Sequence, residues 1–394
     1  MSGRIQQTAK FIWLNIGIAL LVLVLIEGAA RAGFALLDRG RHLGLAGPVA
    51  AERRFGPDAN VDQGWLTDYR ELLDSQQGEW HPYVYWRTRA YRGKHLNINE
   101  AGIRRTWNST ASPLPGQLKI FMFGGSTLWG QGARDEFTIP SLVSKKLANR
   151  LDSGVWVVNF AENGYVSTQE VITLMLELRK GNVPDVVVFF DGVNDTFSAF
   201  QSGVAGIPQN ENNRVAEFDS LKRLNWRQGI LERLGLYRLG AGVVRFLGVS
   251  RPPRFSRSDR LPPDALARAV VSVYLHNVSI VDALAQRFGF QALFFWQPTV
   301  FTKKRLSLRE QQWYGQFWSR FGGSGPLFGK VYGAFRERIR TNTVDNIYDL
   351  SGIFDEASNT VFIDEFHIVE AGNEKIAAAI VETLLRELVR QETN

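Results

Sequence analysis

Apolar residues fall into distinct patterns along this chain, and each pattern predicts a different element. At 11–26 the run FIWLNIGIALLVLVLI carries no charge, and with Ala29, Ala30 and their neighbours it reaches the roughly 20 residues needed to cross a bilayer. From 118 onward the pattern changes to short continuous apolar runs at 118–123, 155–160, 185–190, 290–296 and 346–350, the signature of strands buried on both faces. Helical spacing fills the gaps at 137–151, 168–180, 264–287 and about 370–391. Strands alternating with helices predict a doubly wound α/β domain with a mostly parallel sheet.

Other stretches depart from that alternation. Residues 81–105, HPYVYWRTRAYRGKHLNINEAGIRR, are aromatic and basic in short alternating runs and predict a few strands or loops in front of the sheet. The segment 202–262 is arginine-rich, and its apolar spacing predicts either an amphipathic cap over the site or bilayer, or a solvated insertion packed on the domain. Around 301–340, Trp313, Phe317, Trp318 and Phe321 recur at helical spacing, which predicts a core face. The resulting division is an anchor at 1–38, a linker and accessory region at 39–117, and a main domain at 118–394 carrying the 202–262 insertion.

Composition narrows the picture. With 394 residues, 45% hydrophobic and 22% charged, the chain is long and apolar enough for a large folded domain. Its formal charge of +7 is spread along the sequence without a nucleic-acid motif, so nucleic acid is not expected as a partner, whereas a membrane surface or an anionic polymer fits. The absence of cysteine excludes disulfides and thiolate metal sites. Arg4 and Lys10 ahead of the apolar run give the layout of an export signal, and the length of the run predicts a retained single-pass anchor in the inner membrane. Arg31, Arg39, Arg41, Arg53 and Arg54 behind it argue against export of the C-terminal part, but large domains translocate largely regardless of such counts. The expectation is therefore an extracytoplasmic main domain.

In an open α/β sheet, ligands bind beyond the carboxyl ends of the strands. The first predicted strand delivers Gly124, Gly125 and Ser126, and the second is followed by Asn163 and Gly164. The third ends in DGVND with Gly192, Asn194 and Asp195, and the fifth is followed by FIDEFH, where Asp364 stands three residues before His367. A serine hydroxyl needs a base to become a nucleophile. Of the five histidines, only His367 sits at a strand-end turn beside a carboxylate.

A serine, a turn glycine, an asparagine and an Asp-x-x-His in this order resemble the sequence blocks of the SGNH (GDSL) hydrolase superfamily, over roughly 118–390. The resemblance implies a three-layer α/β/α sandwich with a flavodoxin-like five-stranded sheet, no cofactor and no metal. It implies Ser126 as nucleophile, His367 as base and Asp364 as its orienter, with the oxyanion held by the Ser126 N–H, Gly164 and Asn194. Gly125 departs from the family, whose name motif has an acidic residue before the serine.

The activity expected on that basis is a membrane-anchored serine esterase or O-acyltransferase. Its expected substrate is an O-acylated, most simply O-acetylated, cell-envelope or extracellular polysaccharide, with Trp129, Tyr165 and Trp296 as candidate sugar platforms. A lipid or lysophospholipid ester is the alternative substrate. A non-catalytic, membrane-anchored polysaccharide-binding scaffold is a further alternative. A phosphate binder would use the same glycine turn, but the P-loop ending Gly-Lys-Ser/Thr is missing. The oligomeric state and the identity of the substrate stay open.

Overall fold

The computed structural model describes residues 7, 10, 11, 13–19, 21–30, 78–211, 214, 215, 217, 261–321, 325–341 and 345–392. The chain divides into two compact units, one made of Met1–Arg53 with Asn212–Ser256 and the other of Arg54–Glu211 with Arg257–Asn394. In the first, helix α1 (Trp13–Ala30) is apolar and long enough to cross a membrane, and it leaves side chains such as Trp13, Leu21 and Leu25 exposed. Residues 31–38 of the predicted anchor, 39–77 of the predicted linker region and 218–260 of the predicted insertion lie outside the described residues.

The second unit opens with two antiparallel hairpins. Strand β1 (Gly78–His81) pairs with β2 (Tyr85–Thr88), and β3 (Tyr91–Arg92) pairs with β4 (Asn97–Ile98). The five apolar runs then form β5 (Leu118–Gly124), β6 (Val155–Asn159), β7 (Val186–Asp191), β8 (Gln291–Trp296) and β9 (Ile347–Asp349). They build one parallel sheet in the order β6-β5-β7-β8-β9. The order reverses at β5, so the crevice beyond its carboxyl end is the topological switch point of the sheet.

Strand alternation sends neighbouring side chains of β5 into two different cores. Ile120 and Met122 join Leu142, Val143 and Leu147 of α3 (Ile139–Ala148) and Ile376, Ile380 and Leu384 of α9 (Glu370–Glu392). Phe121 and Phe123 join Val171 and Leu174 of α4 (Ser167–Arg179), Val270 and Val278 of α6 (Pro263–Phe288) and Val331 and Phe335 of α8 (Gly325–Thr341). Helices on both faces make the expected three-layer α/β/α sandwich. On the second face Phe123, Phe189 and Phe294 stack across adjacent strands at centroid spacings of 5.0 and 5.1 Å. Helix α6 also meets the length and apolarity of a membrane span, but it buries Leu266, Val270, Tyr274, Val278 and Val281 against the sheet and is a core helix.

The stretch after β7 continues as helix α5 (Val193–Ser202), with the bend taken at Gly192, φ 123°. The 301–340 region forms α7 (Leu308–Phe321) and α8, and the core contribution comes from Leu327, Phe328, Val331 and Phe335 of α8. Trp313 is only half-buried, and the side chains of Phe317, Trp318 and Phe321 lie outside the described residues.

Candidate active site

Strand β5 runs straight into the short helix α2 (Ser126–Trp129), with Gly125 as its extended N-cap, so Ser126 stands at the carboxyl edge of the sheet. Both preceding glycines are required by crowding. A Cβ on Gly124 would lie 2.8 Å from the Phe190 carbonyl oxygen, and one on Gly125 would lie 2.0 Å from Asn194 Nδ2. At Gly125 the crowding atom is the end of the Asn194 side chain, so a side chain there would have to displace that amide.

His367 lies 241 residues further along the chain, and its Nε2 is 2.7 Å from Ser126 Oγ. Its other ring nitrogen, Nδ1, is 2.6 Å from Asp364 Oδ2. The same carboxylate uses Oδ1 to accept the backbone N–H groups of Phe366 and His367 at 2.9 and 2.8 Å. One side chain therefore shapes the turn and aims the ring. Burial would raise the Asp364 pKa, but the neighbouring His367 and these hydrogen bonds outweigh it and hold the carboxyl well below its ordinary range. Such a carboxylate favours the tautomer with the proton on Nδ1, leaving Nε2 free to accept from Ser126.

The Asp-x-x-His turn is braced from beneath. Glu310 on α7 accepts the N–H groups of Val361 and Phe362 at 2.9 and 3.3 Å and pairs with Lys303 at 2.5 Å, both side chains being buried. The turn that carries Ser126 has its own brace. Arg104, fully buried, donates to the carbonyls of Trp129, Gly130 and Ala133 at 3.2, 2.6 and 2.6 Å and to Asp135 at 3.1 Å. Its guanidinium also lies 4.4 Å from the Trp129 ring.

Asn194, on the first turn of α5, donates through Nδ2 to the Tyr165 carbonyl at 2.7 Å. Its Oδ1 accepts from Gln209 Nε2 at 3.1 Å, which fixes the amide with its nitrogen toward Gly125. Gly164 takes φ 76° in the turn after β6, with Gln209 and Trp86 close by. Nothing in the sequence singles out Gln209, because a glutamine inside an insertion has no motif or periodicity to mark it. Trp86, whose Nε1 donates to the Asn163 carbonyl at 2.9 Å, is unmarked for the same reason.

The three predicted sugar platforms are corrected. Trp129 and Tyr165 are each 1% exposed and Trp296 is fully buried, so none presents a ring face to a ligand. Trp129 sits under Arg104, Tyr165 donates its hydroxyl to the Trp86 carbonyl, and Trp296 stacks on Phe335 at 4.1 Å. The aromatic surface near the histidine is instead Phe366, which packs with Phe197 and Phe301 at centroid distances of 6.3 and 6.1 Å. These three are half-buried.

Behind the site lies a buried carboxyl pair that sequence patterns do not signal. Glu170 of α4 lies close to Asp191 at the end of β7, and burial raises both pKa values well above the ordinary carboxylate range. Among the described residues, no group of His, Asp and Glu side chains is arranged to hold a metal ion.

No protein-family model and no curated protein matches the sequence. Among solved structures, the chain is similar to an acetyl xylan esterase, AlAXEase, at 14% identity and a TM-score of 0.38, over 67% of this chain and 98% of that one. A lipase from goat rumen metagenome shares 13% identity at a TM-score of 0.39, over 67% and 96% of the two chains. A lipolytic protein of the G-D-S-L family from Veillonella parvula shares 12% identity at a TM-score of 0.37, over 68% and 98%.

Proposed function

We propose that this protein is a serine esterase acting through an acyl-enzyme on Ser126. The observation that carries this reading is the hydrogen-bonded series Ser126 Oγ, His367 Nε2, His367 Nδ1, Asp364 Oδ2, at 2.7 and 2.6 Å, beside an oriented asparagine amide. His367 Nε2 takes the hydroxyl proton as Ser126 Oγ attacks the ester carbonyl carbon. The developing oxyanion is received by the Ser126 N–H, the Gly164 N–H and Asn194 Nδ2, donors aimed at charge present only in the transition state. His367 then passes its proton to the leaving alcohol oxygen. Water then gives a proton to His367 Nε2 as its oxygen attacks the acyl carbonyl carbon, the bond to Ser126 Oγ breaks as His367 returns the proton to that oxygen, and the carboxylic acid leaves.

The substrate proposed is an O-acylated, most simply O-acetylated, envelope polysaccharide, with α1 anchoring the enzyme in the inner membrane and the catalytic unit outside. An N-terminal apolar helix and a net charge of +7 support that setting. A sugar hydroxyl in place of water would make the same site an acyltransferase. The half-buried Phe197, Phe301 and Phe366 beside His367 favour a second reading, a longer acyl chain on a lipid ester.

A serine-directed fluorophosphonate is expected to label the full chain and to fail on Ser126→Ala. A folded wild type that stays unlabelled overturns the esterase reading. Hydrolysis of p-nitrophenyl acetate against the palmitate separates the two substrate classes, and activity confined to the long chain removes the acetyl reading.

A further inference from the structure

The β1–β2 hairpin has two sides, and the catalytic loops use one. Trp86 donates to the Asn163 carbonyl at 2.9 Å, and Thr88 donates from N and Oγ1 to Glu162 at 2.8 and 2.6 Å. Both partners belong to the turn that carries Gly164. Arg87, between them, alternates to the opposite side, with its guanidinium 5.7 Å from the Tyr165 ring. There it lines a groove of about 630 Å³ bounded by the hairpin, the edge strand β6 and helix α4.

Arg87 is 6% exposed, and its Nη1 has no hydrogen-bond partner. The neighbouring carboxylate, Glu162, is already committed to Thr88 and to the backbone and side chain of Asn163. A buried guanidinium with an unused N–H is costly unless an acceptor reaches it. Arg179 shares the groove, as do Lys180, paired with Glu177, Glu79, paired with Arg89, and Glu100. Ion pairing thus leaves Arg179 as the exposed cation on the groove, with Arg87 as a buried cation in its wall whose charge also bears on Glu162.

On the same groove Trp80 and Tyr83 are 68% and 67% exposed. Tyr83 and Tyr85 take φ of 70° and 75°, so the turn holds its aromatic residues in a conformation that L side chains seldom adopt. Flat exposed rings beside fixed cationic donors suit a sugar chain, whose C–H faces stack and whose acidic groups accept hydrogen bonds. A net charge of +7 draws the same class of polymer.

We propose that this groove binds an anionic glycan, with Trp80 and Tyr83 stacking on its sugar rings and Arg87 and Arg179 holding its carboxylates. It holds the part of a polymeric substrate beyond the ester, and this second role rests on the esterase reading.

Binding of a galacturonate hexamer to the full chain carrying Ser126→Ala, in detergent micelles, tests the groove without turnover. Adding Trp80→Ala and Tyr83→Ala to that chain is expected to weaken binding about tenfold or more, the equivalent of two lost stacking contacts. Arg179→Ala is expected to weaken it and reduce its salt dependence, and Arg87→Lys tests the guanidinium without removing its charge. In chains that keep Ser126, the aromatic variants are expected to hydrolyse p-nitrophenyl acetate at the wild-type rate. Absence of hexamer binding, binding indifferent to these substitutions, or equal binding of a neutral xylohexaose overturns the proposal. If the wild type binds the hexamer but hydrolyses no ester, the esterase reading fails and the groove stands.

Discussion

Asn194 Nδ2 occupies the space that any side chain at Gly125 would need, since a Cβ there would lie only 2.0 Å away. The residue before the candidate nucleophile and the candidate oxyanion donor are therefore fitted to each other across two strand ends. Gly125→Ala is expected to push the amide aside and lower kcat by about 10²–10³, the usual cost of one lost oxyanion donor. Circular dichroism should show an unchanged fold, and wild-type kcat in a folded variant would refute the coupling.

Asn194→Ala removes the same donor directly, so kcat should fall by about 10²–10³ with little change in KM. Gln209 acts one step behind, holding Asn194 Oδ1 at 3.1 Å. Gln209→Glu cannot donate to that oxygen and instead invites the amide to flip. A kcat loss of about tenfold is expected, with KM unchanged and no further loss when it is combined with Asn194→Ala. Additive losses in the double variant would mean that Gln209 acts elsewhere.

Asp364→Asn keeps the shape of the turn but offers an amide where His367 Nδ1–H needs an acceptor, so kcat should fall by about 10³–10⁴. The native carboxyl titrates below its ordinary range, so its stabilisation is complete above an ordinary carboxylate pKa and is lost only as pH falls through the lowered value. Wild-type activity above about pH 4.5 should therefore show no inflection from Asp364. A pH profile of Asp364→Asn that parallels wild type at equal rate would remove it from the site.

Glu170 and Asp191 run in the opposite direction. Their folded pKa values are raised by burial, so the native state holds more protons than the unfolded chain and stability falls as pH rises above the ordinary carboxylate range. Glu170→Gln can still donate to Asp191 and carries no proton to lose. Thermal melts should show a gain of a few degrees at about pH 8 that shrinks toward about pH 4.5. A gain independent of pH would contradict the raised carboxyl pKa.

Glu310→Gln leaves the buried Lys303 charge without its carboxylate, keeping the Asn359 carbonyl, and weakens the support under Val361 and Phe362. Breaking a buried pair in this way typically costs about 3–5 kcal/mol, which denaturant unfolding would register. A change below about 0.5 kcal/mol would show that the brace does not matter.

The sequence by itself determined the layers. Continuous apolar runs at five strands leave little choice but burial on both faces, and helical spacing between them supplies the covering helices. It also marked Ser126, Asn194, Asp364 and His367, because turn residues after such strands must cluster at one edge of a parallel sheet. Only the tertiary structure decided which aromatics are open to a ligand. Trp129, Tyr165 and Trp296 look as available in the sequence as Trp80 and Tyr83, yet the first three are covered by Arg104, Trp86 and Phe335 from distant segments. Gln209, Glu310 and Arg104 are silent for the same reason, since each acts through a partner 15 to 52 residues away and no local periodicity records it. The meaning of Gly125 belongs to the same class. A glycine in the sequence permits close approach, and the folded chain alone shows that the amide of Asn194 is what approaches.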